Sequence, residues 1–121
     1  MRYDPSDLLA AIGREQLITV TLDRHVERVE AQRVTLPPGL KAPRHSHPGG
    51  VVGYVLEGEI VFEPEGGHAR VLRSGDSFFE PPGTAIDRFE NASATEPAVF
   101  VAFHPLSGEQ TTISIEPPRS S

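Results

Sequence analysis

The run Gly39-Leu40-Lys41-Ala42-Pro43-Arg44-His45-Ser46-His47-Pro48-Gly49-Gly50-Val51-Val52-Gly53-Tyr54-Val55-Leu56-Glu57-Gly58 sets two histidines two residues apart between turn-forming flanks. On an extended strand, residues i and i+2 point to the same face. His45 and His47 can therefore share one metal ion or one substrate. The β-branched run 51–56 that follows reads as a strand, closed by a Glu57-Gly58 turn.

The same rhythm continues on both sides. Residues 59–63 return as a strand, and Pro64-Glu65-Gly66-Gly67 makes a hairpin loop. Further strands read at 69–72, 77–80, 85–89 and 98–103. Ser74-Gly75-Asp76, Pro81-Pro82-Gly83 and the polar loop 91–97 separate them. Residues 111–115 read as a last edge strand and 116–121 as a frayed tail. Upstream, 26–36 reads as a longer strand ended by Pro37-Pro38-Gly39. Residues 17–22 alternate apolar side chains with threonine and read as one more strand. The single helix candidate is 4–12, with Asp4 as cap, Pro5 in the first turn, a Leu8, Leu9 and Ile12 stripe, and Gly13 as terminator.

Composition agrees with an all-β domain. Twelve prolines and eleven glycines in 121 residues fall between the β-rich runs. About ten short strands with hairpin connections must close or stack to hide their edges. The length predicts one domain over 1–121. The net charge of −6 argues against nucleic acid or an anionic membrane surface as partner. Without cysteine there is neither a disulfide nor a thiolate site. No apolar run approaches a membrane span, and Met1-Arg2-Tyr3-Asp4-Pro5 does not begin a signal peptide. The expected compartment is the cytoplasm.

The spacing of Gly39, His45, His47 and Gly58, and then of Gly75, Pro81, Gly83 and Asn91, resembles the two motifs of the cupin superfamily. The resemblance covers about residues 30–105. It implies a double-stranded β-helix, or jelly-roll barrel, preceded by an N-terminal extension at 4–22. It also implies four metal ligands: the paired histidines, a glutamate and a later histidine. His45 and His47 fill the first two positions. The glutamate position falls on Val51 or Val52, best on Val51, and the later histidine on Ile86, so half of the implied set is hydrocarbon. Two imidazoles alone hold a divalent ion weakly.

His104 is the candidate replacement. Phe100, Ala102 and His104 share one face of strand 98–103 and its continuation. In the barrel that the resemblance implies, this strand lies beside the ligand-bearing ones. His45, His47 and His104 thus form the expected metal or catalytic set, with Val51, Tyr54, Phe78, Ile86, Phe100 and Ala102 as pocket walls. Val55 and Phe62 extend that wall. Set against this, a histidine at a strand end, such as His104, is more often a partly exposed rim residue, and His45 and His47 also read as polar remnants of a lost site. His25 and His68 sit in charged turns and read as surface. Asp87 and Arg88 read as a solvated strand pair, and Glu80 either carries a proton or faces water.

Three functions follow. The first is a metal-dependent enzyme, of oxygenase, isomerase or lyase type, using Fe, Mn, Ni, Cu or Zn on a small organic molecule. The second is a metal-free binder, cyclase or isomerase with histidine as acid and base. The third is a non-catalytic scaffold whose site has decayed. The resemblance also implies a homodimer, formed through the 8–12 helix face and the 17–22 strand.

Overall fold

In the computed structural model, which describes residues 4–119, the chain is a jelly roll of two facing antiparallel sheets with one short helix. The helix α1 spans Pro5–Ala11. The strands are β1 (Arg28–Leu36), β2 (His45–Ser46), β3 (Val51–Glu57), β4 (Glu59–Pro64), β5 (Arg70–Arg73), β6 (Ser77–Glu80), β7 (Ile86–Asn91), β8 (Ala98–Leu106) and β9 (Ser114–Ile115). One sheet has the order β1-β8-β3-β6 and the other β5-β4-β7-β2-β9. The all-β barrel read from the turn spacing is the observed architecture.

Alternation along the strands builds the core. In β3, Val51, Gly53 and Val55 turn inward while Val52 and Tyr54 turn outward. In β8, Ala98, Phe100, Ala102 and His104 are buried and Phe103 is exposed. Between the sheets, the rings of Phe62, Phe78, Phe89 and Phe100 pack at centroid distances of 5.2–6.1 Å, mostly edge-to-face or tilted. Gly53 is required here, because a Cβ at that point would overlap the Phe78 ring. Gly58 turns β3 into β4 at a φ of 82°, a conformation that disfavours other residues.

Asn91 locks the end of the barrel. Its buried amide donates to the carbonyls of Leu36, Pro37 and Glu96 at 3.1, 3.1 and 2.8 Å. Its Oδ1 accepts from the Ser93 amide at 2.9 Å. One side chain thereby joins the β1 exit to the 91–97 loop.

The ends of the chain differ from expectation. α1 forms as read, capped by Asp4, whose Oδ1 accepts from the Ser6 amide at 2.7 Å. Residues 17–22 are not a strand. Leu17 and Ile18 lie against the outer face of the first sheet, with the Leu17 carbonyl accepting from Ser77 Oγ at 3.1 Å. A sheet face presents side chains rather than ladder groups, so alternation alone cannot make a strand there. The last strand shortens to Ser114–Ile115.

The expected frayed tail is anchored over its described part. Glu116 N donates to the Arg44 carbonyl at 2.9 Å, and Ser46 Oγ to Glu116 Oε1 at 2.6 Å. Arg119 pairs with Asp87 at 2.9 Å. Residues 120–121 lie outside the described residues. Asp87 is consequently not solvated: Arg44 holds it at 2.9 Å from the other side, and its side chain is 8% exposed. Among the described residues no helix is long and apolar enough to cross a membrane.

Candidate metal centre

Short β2 carries His45, and His47 follows directly after it. His45 lies opposite Ile86 of β7 on one side and Ile115 of β9 on the other. His45 Nδ1 lies 2.9 Å from the Pro43 carbonyl. His47 Nδ1 lies 2.6 Å from the Thr112 carbonyl. A carbonyl only accepts, so both Nδ1 atoms carry the proton and donate it. In its neutral form each ring presents its Nε2 lone pair on the far side. The turn after His47 is equally fixed, since its carbonyl accepts from Gly50 at 3.0 Å and from Gly83 at 2.9 Å.

Both Nε2 atoms face one carboxylate. Glu80 ends β6, directly opposite Val51 of β3, and is 1% exposed. Its Oε2 lies 2.6 Å from His47 Nε2 and its Oε1 3.7 Å from His45 Nε2. The longer separation is beyond hydrogen-bonding range, and Oε1 has no partner among the described residues. Ligand atoms of His45, His47 and Glu80 all lie within 4.8 Å of one another.

Burial penalises the charge on Glu80, but the two imidazoles outweigh it and hold the carboxyl below its ordinary value. Burial also opposes a charged His45, yet the Glu80 carboxylate and the Pro43 carbonyl raise its pKa. His104 moves the other way: burial and the neighbouring His47 lower it.

The group opens on a barrel cavity of about 210 Å³. Val51, Phe78, Phe100 and Ala102 line it as read from the sequence, joined by Phe89. His104 lines it too, with its ring centroid 5.3 Å from that of His47. It is 3% exposed, so it is not a rim residue, and its Nδ1 has no hydrogen-bond partner among the described residues. It stands outside the compact His45–His47–Glu80 group. Tyr54 does not reach the cavity; it faces outward, over a groove with Val52, Ser77 and Phe103. Ile86 is sealed in the core beside His45, and Val55 and Phe62 likewise pack in the core and do not line the cavity. His25 and His68 are exposed.

Glu80 is the member that sequence reasoning missed. Its signal was present, because Phe78 and Glu80 are two apart in a short strand and Phe78 is apolar. What was missing was the pairing of β6 with β3, which puts Glu80 across from the hydrocarbon at Val51.

The donor set fits a divalent transition metal. Two imidazoles with anchored Nδ1–H groups and one buried carboxylate, one of whose oxygens lacks a partner, make an N,N,O site of ordinary composition.

Comparison with known proteins gives consistent results. The family model described as "Cupin domain" matches residues 32–104. The dimethylsulfoniopropionate lyase DddQ of Ruegeria pomeroyi is 39% identical over 57 residues, which are 47% of this chain and 28% of that protein. The crystal structure of DddQ from the same bacterium superposes with a TM-score of 0.64 at 28% identity, covering 77% of this chain and 45% of that one. An oxalate oxidase in complex with the substrate analogue glycolate gives 0.59 at 28% identity, over 72% and 45% of the two chains. An RmlC-like cupin from Shewanella frigidimarina gives 0.57 at 26%, over 67% and 68%. The chain thus spans 28% of the curated relative's length and 45% of the solved DddQ and oxalate oxidase chains.

Proposed function

The chain belongs to the cupin domain family, and from that premise we propose that it is a metal-dependent enzyme acting on a small organic molecule inside the barrel. His45, His47 and Glu80 are its metal ligands. The observation that carries this reading is the convergence of two imidazoles with anchored Nδ1–H groups and one buried carboxylate, whose ligand atoms all lie within 4.8 Å of one another. A cation at their centre gives all three groups one shared partner. The relatives named as DMSP lyase and oxalate oxidase support small-molecule chemistry of this kind.

When bound, an ion from the group Fe, Mn, Ni, Cu or Zn supplies Lewis acidity toward a substrate oxygen. The chain's own groups do the rest. Pro43 and Thr112 hold the two rings in the ligand tautomer. Glu80 supplies the negative charge. Phe78, Phe89, Phe100 and Val51 keep water away and strengthen every electrostatic contact inside.

Metal analysis of purified protein, followed by titration of chelated protein with each ion, tests this. Stoichiometric uptake that is lost in the His45→Ala, His47→Ala double variant is the expected result. Absence of any ion, with no thermal shift on adding Fe, Mn, Ni, Cu or Zn, speaks against it. A second reading rests on the 2.6 Å contact of His47 with Glu80: a proton replaces the metal, and the pair acts as acid and base. Turnover that survives chelation and disappears in His45→Ala favours that alternative. Leu8, Leu9 and Ile12, all more than half exposed at 52%, 55% and 54%, support assembly as a homodimer, which light scattering tests.

A further inference from the structure

Building on the metal-enzyme reading, we propose that residues 111–119 form a strap that opens and closes beside the metal centre, pivoting on the 107–110 turn, and that loading of the ion and closure of the strap are one coupled event. The segment meets the site at three points. The Thr112 carbonyl accepts from His47 Nδ1 at 2.6 Å. Ser114 and Ile115 pair with Ser46 and His45 as the edge strand β9. Thr112 and Ile113 supply part of the cavity wall. Closure thus completes the cavity and fixes the orientation of one ligand.

The two ends of the segment are held differently. At the pivot, Glu27 Oε1 accepts from Ser107 Oγ at 3.0 Å and from the Gly108 amide at 2.7 Å. Arg28 donates to the Gly108 and Gln110 carbonyls at 2.8 and 2.9 Å. Gln110 closes the turn on itself, its Oε1 accepting from the Ser107 amide at 2.9 Å. These contacts fasten the turn to the start of β1.

The far end carries a latch. Ser46 Oγ donates to Glu116 Oε1 at 2.6 Å, and Arg44 Nη1 to the Pro117 carbonyl at 3.1 Å. Arg119 pairs with Asp87, but its side chain is 61% exposed, and so exposed a pair holds weakly. Between pivot and latch, burial does little: no residue of 111–119 is buried, and Ile113 and Ile115 are 45% and 63% exposed. The ladder there is two residues long. A segment with so little buried apolar surface opens locally at far less cost than global unfolding. The strap therefore lets go at the latch and swings on the turn.

Coupling follows from His47. With the strap closed, the Thr112 carbonyl keeps the ring proton on Nδ1 and leaves Nε2 for the ion. With it open, that contact no longer selects the tautomer. Groups that orient a metal-binding imidazole in this way are worth about 10- to 100-fold in affinity. Linkage requires the converse: an ion that prefers the closed form holds the strap shut by the same factor.

The test uses the full chain, with its Zn²⁺ or Mn²⁺ content measured first. Amide hydrogen exchange is followed with and without the ion. Exchange over 111–119 should slow about 10- to 100-fold on loading, while the remote edge strand β5 slows far less. Glu116→Ala removes the acceptor for Ser46. In loaded protein it should speed strap exchange and chelator-driven ion release by one common factor of about three- to tenfold. Arg119→Ala, at the surface, should move both rates in the same direction by a smaller factor. Loading that leaves exchange over 111–119 unchanged overturns the proposal while the metal centre stands. A Glu116→Ala protein in which either rate is unchanged does the same. Wild-type protein that takes up no ion overturns the metal-enzyme reading and the coupling together.

Discussion

Replacing Glu80 with glutamine keeps the shape of the side chain and removes its charge. In the folded chain its two oxygens lie 2.6 and 3.7 Å from the imidazole Nε2 atoms, on a side chain that is 2% exposed. An amide there offers one neutral oxygen and turns N–H groups toward atoms that need a cation. Disturbing a residue that merely orients a ligand lowers metal affinity by about 10- to 100-fold. Removing a ligand should exceed that range, so the dissociation constant for Zn²⁺ or Mn²⁺ should rise by more than about 100-fold. At an ion concentration about 100 times the wild-type constant, the ion adds about 2.7 kcal/mol of stability to wild type and little to the variant. For a chain of this size that is roughly 10 °C in melting temperature. Without metal the gap should be smaller. The variant loses a charge-assisted contact of about 1.5–3 kcal/mol but escapes part of the cost of burying a carboxylate. Competition with a chromophoric chelator gives the affinity, and scanning fluorimetry with and without ion gives the shift. Equal affinities, or equal metal-induced shifts, in the two proteins would refute Glu80 as a ligand.

Other outcomes can be stated more briefly. Asn91→Ala strands the carbonyls of Leu36, Pro37 and Glu96 and should cost about 3 kcal/mol, read from urea midpoints; a loss below about 1 kcal/mol contradicts the locking role. Removing residues 111–121 takes the Thr112 carbonyl from His47 and the Glu116 carboxylate from Ser46, and should lower metal affinity by about 10- to 100-fold in protein that remains folded. In metal-free protein, Glu80 is held below its ordinary 4.5, so its contribution is present above that pH and fades as acid titrates it. His45 is held above its ordinary 6.5, so its contribution is complete below 6.5 and fades as the pH rises past its folded value. The melting-temperature gap between wild type and Glu80→Gln should therefore peak between pH 4.5 and 6.5. A gap that widens steadily above pH 8 would contradict the coupling of these two groups.

Much of the barrel was legible because proline and glycine punctuate it. Gly58, Gly75 and Gly83 adopt positive φ where turns were read, and the alternation of β3 and β8 placed Val51, Phe100, Ala102 and His104 inward. Residues 17–22 misled because alternation reports a two-sided environment, not the presence of a ladder partner. Tyr54 was assigned to the pocket although its own strand parity turns it outward. Glu80 was hidden for another reason. Its role depends on which strand lies beside β6, and antiparallel register between strands remote in sequence leaves no local trace. The anchoring of the tail was invisible likewise, since it depends on Arg44 and Ser46 meeting residues 116–119 across the barrel.

The rung that joins Val51 to Glu80 bears on how ligands are recognised in such domains. The two side chains face the same interior from adjacent strands, so a carboxylate can be transposed between distant stretches of chain while its head group moves by little more than a strand spacing. A search that demands glutamate shortly after the second histidine therefore rates this sequence as ligand-poor. The inventory of coordinating groups belongs to the lumen, and it has to be counted across neighbouring rungs instead of along a single segment.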